Sequence, residues 1–167
     1  MSLRDLLTAI LILAALAGLA RFLTRGDEAI GPARAVDGDT LEILGQRVRL
    51  SGVDAPELAQ TCGTDMALWP CGAEARTKLA SLVRMHIVSC RGNRHDGYGR
   101  LLAVCSVGQG DTARDLAAEM VTSGLAIAAS GRGYKTLQSE AQARGRGIWS
   151  GPFQRPADWR SAHATGP

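Results

Sequence analysis

Two short segments early in the chain concentrate acidic side chains around an arginine. The first reads VDGDT at residues 36–40, and the second reads RLSGVDAPE at residues 49–57. Carboxylate and carbonyl oxygens are the ligands that a hard divalent cation prefers. A guanidinium such as that of Arg49 presents a planar fork of donors that fits a phosphate group. The two segments together therefore predict a site for metal-assisted chemistry on a phosphodiester.

A simpler interpretation of both segments is a pair of turns. Aspartate, glycine and proline are turn formers, and either segment alone is typical of a turn. Their occurrence together, each at the end of a predicted strand, is more informative than either segment by itself. The turn interpretation nevertheless stays open on these residues alone.

The elements that must position these residues follow from hydrophobic periodicity. Alternating apolar and polar residues in TLEIL at 40–44 and in RVRL at 47–50 predict half-buried strands, with Gly45 at the hairpin between them. Five strands are expected, over residues 33–36, 40–44, 46–53, 86–90 and 100–107. Apolar residues at helical spacing predict helices over residues 72–85, 112–124 and 135–147. Five strands with an interposed helix are what a small barrel of the OB type requires.

Composition indicates one globular domain with appendages. The 167 residues are 46% hydrophobic and 21% charged, which excludes a disordered chain. The net charge of +3 is compatible with an anionic partner such as nucleic acid but does not require one. Aromatic residues make up 4% of the chain, which argues against a broad stacking platform for bases.

The N-terminal segment differs from the rest of the chain. LLTAILILAALAGLA at residues 6–20 contains no charge, and arginines flank it on both sides. With Phe22 and Leu23 it approaches the length of a membrane span, whereas Gly18 and Ala20 suit a cleaved signal peptide. A buried core helix is the remaining interpretation, and the lack of a polar face disfavours it.

This organisation predicts an exported protein. The expected units are a signal peptide or membrane anchor at 1–23, a polar linker at 24–32, the domain at 33–150 and an irregular tail at 151–167. The protein is expected at the periplasmic or extracellular face, either secreted or attached to the membrane through residues 6–23 if these are not cleaved.

Four cysteines, Cys62, Cys71, Cys90 and Cys105, lie downstream of the apolar segment. An even number of cysteines in an exported chain predicts disulfides formed in an oxidising compartment. Three pairings are possible, and 62–71 with 90–105 is favoured because it closes local loops without rearrangement. A zinc site is disfavoured because there is no CxxC and the histidines are scattered. Buried free thiols remain the alternative.

The order VDGDT, RVRLSGVDAPE, DGYGRLLA, SEAQARGRGIWS resembles the staphylococcal nuclease (thermonuclease) family, over roughly residues 33–150. The resemblance implies a β-rich α+β fold, an OB-type five-stranded barrel with three helices. It also implies a monomeric hydrolase that cleaves DNA and RNA in a calcium-dependent reaction. In that reaction water attacks phosphorus, the 5′ P–O bond breaks, and 3′-phosphates remain.

The resemblance also implies roles for individual residues. The implied calcium ligands are the carboxylates of Asp39 and Asp54 and the backbone carbonyl of Ala55. The implied catalytic residues are Glu57, as the acceptor of a proton from water, and the phosphate-binding Arg49 and Arg100. Tyr98 matches a tyrosine that the family uses near a terminal phosphate, and Asp37 is expected to support the turn.

Departures from the family pattern leave a second function open. Gly97 replaces the lysine that precedes Tyr98 in the family's archetype, and Tyr134 is the single aromatic residue in the segment that corresponds to its nucleotide pocket. Arg132, Arg144 and Arg146 are expected either to contact longer substrates or to form a solvated face. Some members of the family have lost catalysis and only bind nucleic acid or protein. The alternative function is therefore a catalytically inactive OB-type binding module.

Overall fold

The structure is a computed structural model that describes residues 3–23, 26–129 and 133–163. The helices are α1 (Leu3–Leu23), α2 (Cys71–Val83), α3 (Leu116–Thr122), α4 (Lys135–Ala143) and α5 (Pro156–Ala162). The strands are β1 (Asp27–Ala35), β2 (Thr40–Ile43), β3 (Gln46–Leu50), β4 (Val53–Asp54), β5 (Ile87–His95), β6 (Leu101–Val107), β7 (Arg114–Asp115) and β8 (Ile127–Ala128). Single 3-10 turns cover Gly110–Thr112 and Gly147–Ser150.

Five strands close into a barrel, as the sequence predicts. Neighbouring strands follow the order β3-β2-β1-β5-β6, and β3 also pairs with β6. The closing pair is parallel, with Arg49 opposite Leu102, whereas the other pairs of the barrel are antiparallel. The predicted β-rich α+β fold with an OB-type barrel is therefore confirmed.

The alternation of buried and half-exposed side chains along the strands explains how the barrel fills its interior. In β6 every second residue from Leu101 to Val107 is buried, while the residues between them are half exposed. Successive side chains of a strand point to opposite faces, so one face of β6 supplies the core. Helices α2 and α3 add Leu79 and Met120 to the same core, and both side chains are fully buried.

The first strand begins earlier than the sequence predicts. Residues 27–32, expected as part of a polar linker, form the first half of β1 and pair with β5 from Asp27 opposite Gly92 to Pro32 opposite Ile87. The inward positions of this half are Ala29 and Gly31. Because these side chains are small, the alternation lacks the large apolar residues that identify a strand.

The second predicted helix is shorter in the structure and has defined ends. Asp115 caps α3 by accepting hydrogen bonds from the N–H groups of Ala117 and Ala118. Gly124 follows the helix with a φ of 71°, the left-handed conformation that glycine adopts readily at a helix C-terminus. The residues from Thr112 to Asp115, predicted as helix, instead end a 3-10 turn and form β7.

All four cysteines are paired as the sequence favours. Cys62 is bonded to Cys71, and Cys90 is bonded to Cys105. The second pair joins residues that lie directly opposite each other in β5 and β6, so it fixes the register of that hairpin. The alternative of free thiols is excluded for this structure.

The C-terminal tail, predicted as irregular, contains helix α5. Pro156 occupies its first turn, where the missing N–H costs nothing. The tail is fastened to the loop around the 62–71 disulfide, because Gly63 N–H donates to the Pro152 carbonyl at 2.8 Å and Gln60 Nε2 donates to the Gln154 carbonyl at 2.6 Å. Phe153 packs edge-on against Trp149, with ring centroids 5.0 Å apart.

The N-terminal apolar segment forms α1, and its described leucine and isoleucine side chains are exposed. Across the described residues, we find no helix that combines the length and the apolar character needed to cross a membrane. Residues 1–2, 24–25 and 164–167, which fall in the predicted N-terminal unit, linker and tail, lie outside the described part of the chain.

Candidate active site

The predicted site residues line one open cleft at the side of the barrel. The cleft has a volume of about 560 Å³. Its lining residues are mostly charged: Asp37, Asp39, Arg47, Arg49, Ala55, Pro56, Glu57, Asp96, Gly97, Tyr98, Arg100, Leu102 and Arg160. Asp54 belongs to the same cluster through its ion pair with Arg49. The structure thus brings together every residue that the resemblance implies for the site.

Arg49 joins the two predicted cation ligands. From β3 it donates through Nη1 to Asp39 Oδ1 at 2.6 Å and through Nη2 to Asp54 Oδ1 at 2.8 Å. Asp39 precedes β2 directly, and its backbone carbonyl accepts from Leu50 N–H at 2.8 Å. The two carboxylates therefore lie at neighbouring strand ends and face one guanidinium, as the paired motifs predict.

The loop after β4 is held against the Asp39 side chain. Ala55 N–H donates to Asp39 Oδ2 at 3.0 Å, which places the Ala55 backbone beside both carboxylates. Gly38 permits this approach, since a Cβ at position 38 would lie 2.7 Å from the Cβ atoms of Ala55 and Ala75. Asp37 supports the turn, as expected, by accepting from Asp39 N–H at 2.9 Å.

Glu57 lies at the entrance of the cleft, with its side chain about one-third exposed (31%). Its backbone N–H donates to Gln60 Oε1 at 3.2 Å. The first turn of α2 packs directly on its carbonyl, and a Cβ built on Gly72 would overlap that oxygen. The position of Glu57 therefore depends on a glycine in α2 and on the fully buried Gln60.

Arg100 is oriented by the turn between β5 and β6. Its Nε donates to Asp96 Oδ2 at 2.7 Å, and its Nη1 donates to Thr40 Oγ1 at 3.3 Å. Asp96 Oδ1 accepts from the N–H groups of Tyr98 and Arg100. The Tyr98 ring is 88% exposed and lies 5.4 Å from the Arg100 guanidinium carbon, so it is accessible to a bound molecule.

The negative charge of Asp39 is energetically unfavourable in this buried position. Burial raises the pKa of Asp39 to about 7, the Arg49 charge opposes that rise, and Asp37 adds to it. A buried carboxylate of this kind is stabilised by any further positive charge placed next to it. The electrostatics of the cleft thus favour a cation beside Asp39.

The donor set suits a hard cation that takes only a few of its ligands from the protein. Asp39 and Asp54 supply carboxylate oxygens, and the Ala55 backbone lies beside them. Oxygen ligands of these kinds are the ones that calcium takes in proteins. In the part of the chain that the structure describes, no cluster of three or more His, Cys, Asp and Glu side chains is placed to hold a metal ion. A cation here would therefore depend on two carboxylates, backbone oxygen and further ligands from solvent or substrate.

Arg160 of α5 is a member of the site that the sequence does not predict. Its guanidinium forms ion pairs with Asp54 and with Glu57. The hydrogen bond to Asp54 chiefly raises the pKa of Arg160 above its usual range, and the bond to Glu57 adds to this. The proline that starts α5 is a signal for the helix, but no local pattern indicates that this helix reaches the cleft.

The other residues considered for substrate contact lie elsewhere. Tyr134 is buried in the core and donates from its hydroxyl to Asp115 Oδ2 at 2.7 Å, so it does not form a base-stacking surface. Arg146 donates to the Thr122 carbonyl at the end of α3. Arg144 follows α4 on an exposed face, and Arg132 lies outside the described residues.

The fold is an OB-type barrel with helices packed against it, and its site is a cleft of arginines and carboxylates. Sequence comparison identifies the family. Residues 47–151 match the family model described as "Staphylococcal nuclease homologue". This chain belongs to the staphylococcal nuclease family.

Curated relatives are identical to this chain at between a quarter and two-fifths of the aligned residues. The chain is 33% identical to "Micrococcal nuclease" of Shigella flexneri, over 77% of this chain and 78% of that protein. It is 37% identical to "Succinoglycan biosynthesis protein ExoI" of Rhizobium meliloti (strain 1021), over 72% of this chain and 64% of that protein. It is 28% identical to "Probable endonuclease LCL3" of Verticillium alfalfae, over 74% of this chain and 45% of that protein. The chain thus spans less than two-thirds of the last two relatives.

Proposed function

We propose that this protein is a calcium-dependent nuclease that hydrolyses phosphodiester bonds of DNA and RNA and leaves 3′-phosphates. The observation that carries the proposal is the convergence of Asp39, Arg49, Asp54, Glu57 and Arg100 in one cleft. Membership of the staphylococcal nuclease family and relatives named as nucleases support the reaction class.

The two arginines would bind the scissile phosphate. Arg49 and Arg100 reach the cleft from β3 and from the residue before β6, with side chains about one-fifth exposed. A guanidinium fork can donate two parallel hydrogen bonds to phosphate oxygens and strengthens them as charge develops in the transition state. The exposed Tyr98 beside Arg100 would contact a neighbouring phosphate or sugar.

Glu57 would accept the proton of the attacking water. Its carboxylate lies at the cleft entrance, where water has access. As the water oxygen bonds to phosphorus, its proton passes to Glu57 and the bond between phosphorus and the 5′ oxygen breaks. The departing 5′ oxygen takes up a proton from solvent, so a 5′-hydroxyl and a 3′-phosphate remain. A calcium ion held by Asp39, Asp54 and the Ala55 carbonyl would supply positive charge that offsets the repulsion between the anionic diester and its nucleophile.

We also propose that the protein is exported to the periplasmic or extracellular face. Two disulfides are typical of an oxidising compartment, and the apolar N-terminal segment suits a signal peptide or anchor. Recovery of the protein from the cytoplasm with four alkylatable thiols would contradict this location.

Digestion of plasmid DNA, single-stranded DNA and RNA tests the proposed reaction. We expect cleavage in calcium, loss of cleavage in excess chelator, and recovery when calcium is restored. Glu57→Gln should reduce kcat by about 100-fold or more while nucleic-acid binding is retained, because it removes the proton acceptor but keeps the side-chain size.

Glu140→Gln on the exposed face of α4 is a matched control and should cleave like the wild type. Full activity in chelator would contradict the calcium requirement. A calcium-loaded wild type that binds DNA but never cleaves it would establish the alternative, a binding module.

A further inference from the structure

The C-terminal helix delivers a fourth guanidinium to the cleft. Arg160 donates from Nη1 to Asp54 Oδ1 at 3.0 Å and from Nη2 to Asp54 Oδ2 at 3.2 Å, a two-point contact with one carboxylate. The same Nη1 donates to Glu57 Oε1 at 2.8 Å. Arg160 thus joins a predicted cation ligand to the predicted proton acceptor.

The placement of Arg160 does not rest on its ion pairs alone. Upstream of α5, the Pro152 and Gln154 carbonyls accept hydrogen bonds from the loop closed by the 62–71 disulfide. Pro156, the first residue of α5, is itself buried. The backbone therefore holds the helix at the cleft, and the Arg160 side chain lies between the carboxylates and solvent, to which it is 41% exposed.

A guanidinium in this position opposes a divalent cation in two ways. It occupies both oxygens of Asp54, which such a cation would also use. Its unit charge would lie within a few ångströms of a doubly charged ion, and the repulsion at that separation is strong even at a high effective dielectric constant. A cation that takes Asp54 therefore competes with Arg160 for both oxygens, whereas Arg49 donates only to Oδ1.

We propose that Arg160 is a further active-site residue. Its guanidinium competes with the divalent cation for Asp54 and, while it is bound there, positions Glu57. This inference rests on the proposed cation site. When the cation takes Asp54, the guanidinium retains its bond to Glu57 or turns to the solvent side of the cleft, where a substrate phosphate would bind. The C-terminal helix thereby sets the cation concentration at which the site is loaded.

Calorimetric titration of the full-length protein with calcium, without substrate, tests this proposal. Arg160→Gln removes the charge and keeps much of the side-chain length, so we expect calcium to bind about tenfold or more tightly than in the wild type. Arg160→Lys keeps the charge without the two-point contact and should give an intermediate affinity. Arg155→Gln, an exposed arginine in the same tail, controls for the loss of one unit of net charge and should match the wild type.

A structural defect cannot produce the expected gain in affinity, and thermal unfolding of each variant checks that it is folded. Calcium affinity that is unchanged or weaker in a folded Arg160→Gln, with a wild type that binds calcium, would overturn the role of Arg160 and leave the cation site intact. The absence of calcium binding in the wild type and in both Arg160 variants would instead overturn the cation site and, with it, this inference.

Discussion

Three arginines of the cleft are paired with carboxylates of the same chain. Arg49 binds Asp39 and Asp54, Arg100 binds Asp96, and Arg160 bridges Asp54 to Glu57. The pairs orient the guanidinium groups before any ligand arrives, which lowers the entropy lost on binding. A phosphate that binds these guanidinium groups therefore shares them with internal carboxylates.

The pair between Asp96 and Arg100 allows a test by pH. Burial raises the pKa of Asp96, but the hydrogen bonds from Arg100 and Tyr98 outweigh it and hold that pKa below its ordinary value of 3.8. Because the pKa is lower in the folded state, the charged Asp96 stabilises the fold above pH 3.8, and this contribution disappears as pH falls through the folded value. We expect Asp96→Asn to lower the free energy of unfolding by about 1 kcal/mol at neutral pH.

Urea denaturation at about pH 7 and at about pH 2.5 measures the difference in free energy of unfolding between wild type and variant, which should be smaller at the lower pH. Asp111→Asn, on an exposed turn, is the matched control and should show no difference at either pH. A difference of the same size at both values would show that Asp96 acts through its shape and not its charge.

The residues of the site differ in how far sequence could predict them. Asp39, Arg49, Asp54 and Glu57 occur within motifs whose residue types indicate a cation and a phosphate, whereas Arg100 was assigned through the family resemblance. Arg160 carries no such signal, because its role comes from the position of a whole helix and not from its neighbours in the chain. Asp96 occurs in DGYGRLLA, one of the segments that carry the resemblance, but its pairing with Arg100 is seen only in the structure.

At the scale of elements, α2 acts as the support on which Glu57 rests. A glycine near the start of a helix is ordinarily replaced by alanine with a gain in stability, of about 1 kcal/mol at most. At Gly72 we expect the opposite, because the added Cβ would overlap the Glu57 carbonyl oxygen. Gly72→Ala should lower the melting temperature and reduce kcat, since the loop that carries Glu57 must shift.

Thr77→Ala, an exposed position on the same helix, provides the comparison. It raises helix propensity without touching the loop, so its stability should equal or exceed that of the wild type at unchanged activity. Thermal unfolding measures the stability of both variants, and steady-state cleavage assays measure their activity. An active, stabilised Gly72→Ala would mean that α2 does not fix Glu57.

The elements that sequence predicted well are those whose large apolar residues follow one period. Strands β2, β3 and β6 and the start of α2 show this, and the structure has them within a few residues of the predicted bounds. The first half of β1 was missed because alanine and glycine fill its inward positions. Helix α5 was missed because it is short and only its proline is buried, so it has no apolar stripe to give a periodic signal.

At the scale of the whole molecule, the site is assembled by the strand pair that closes the barrel. Arg49 lies in β3 opposite Leu102 of β6, and Arg100 immediately precedes β6. These strands are distant in the chain, with β5 and α2 between them. The two arginines proposed to bind phosphate are therefore neighbours only when the barrel is closed.

Closure of the barrel by β3 and β6 affects the order of events in folding. Contacts between distant segments form late in folding, because the entropy of closing the loop between them must be overcome first. During refolding of the oxidised protein from urea, we expect cleavage to return together with protection of the amides in β3 and β6. Pulse-labelled hydrogen exchange, with activity sampled at the same intervals, measures both. Cleavage by chains whose β3 and β6 amides still exchange freely would contradict this order.

On the proposed function, a newly made chain is expected to be inert towards nucleic acid until β3 meets β6. The motifs that hold the acidic residues are local and can fold early, yet they face no phosphate clamp before β3 meets β6. Nothing needs to be cleaved or modified for this delay. The order in which the barrel assembles would then separate the synthesis of the chain from the onset of the proposed activity.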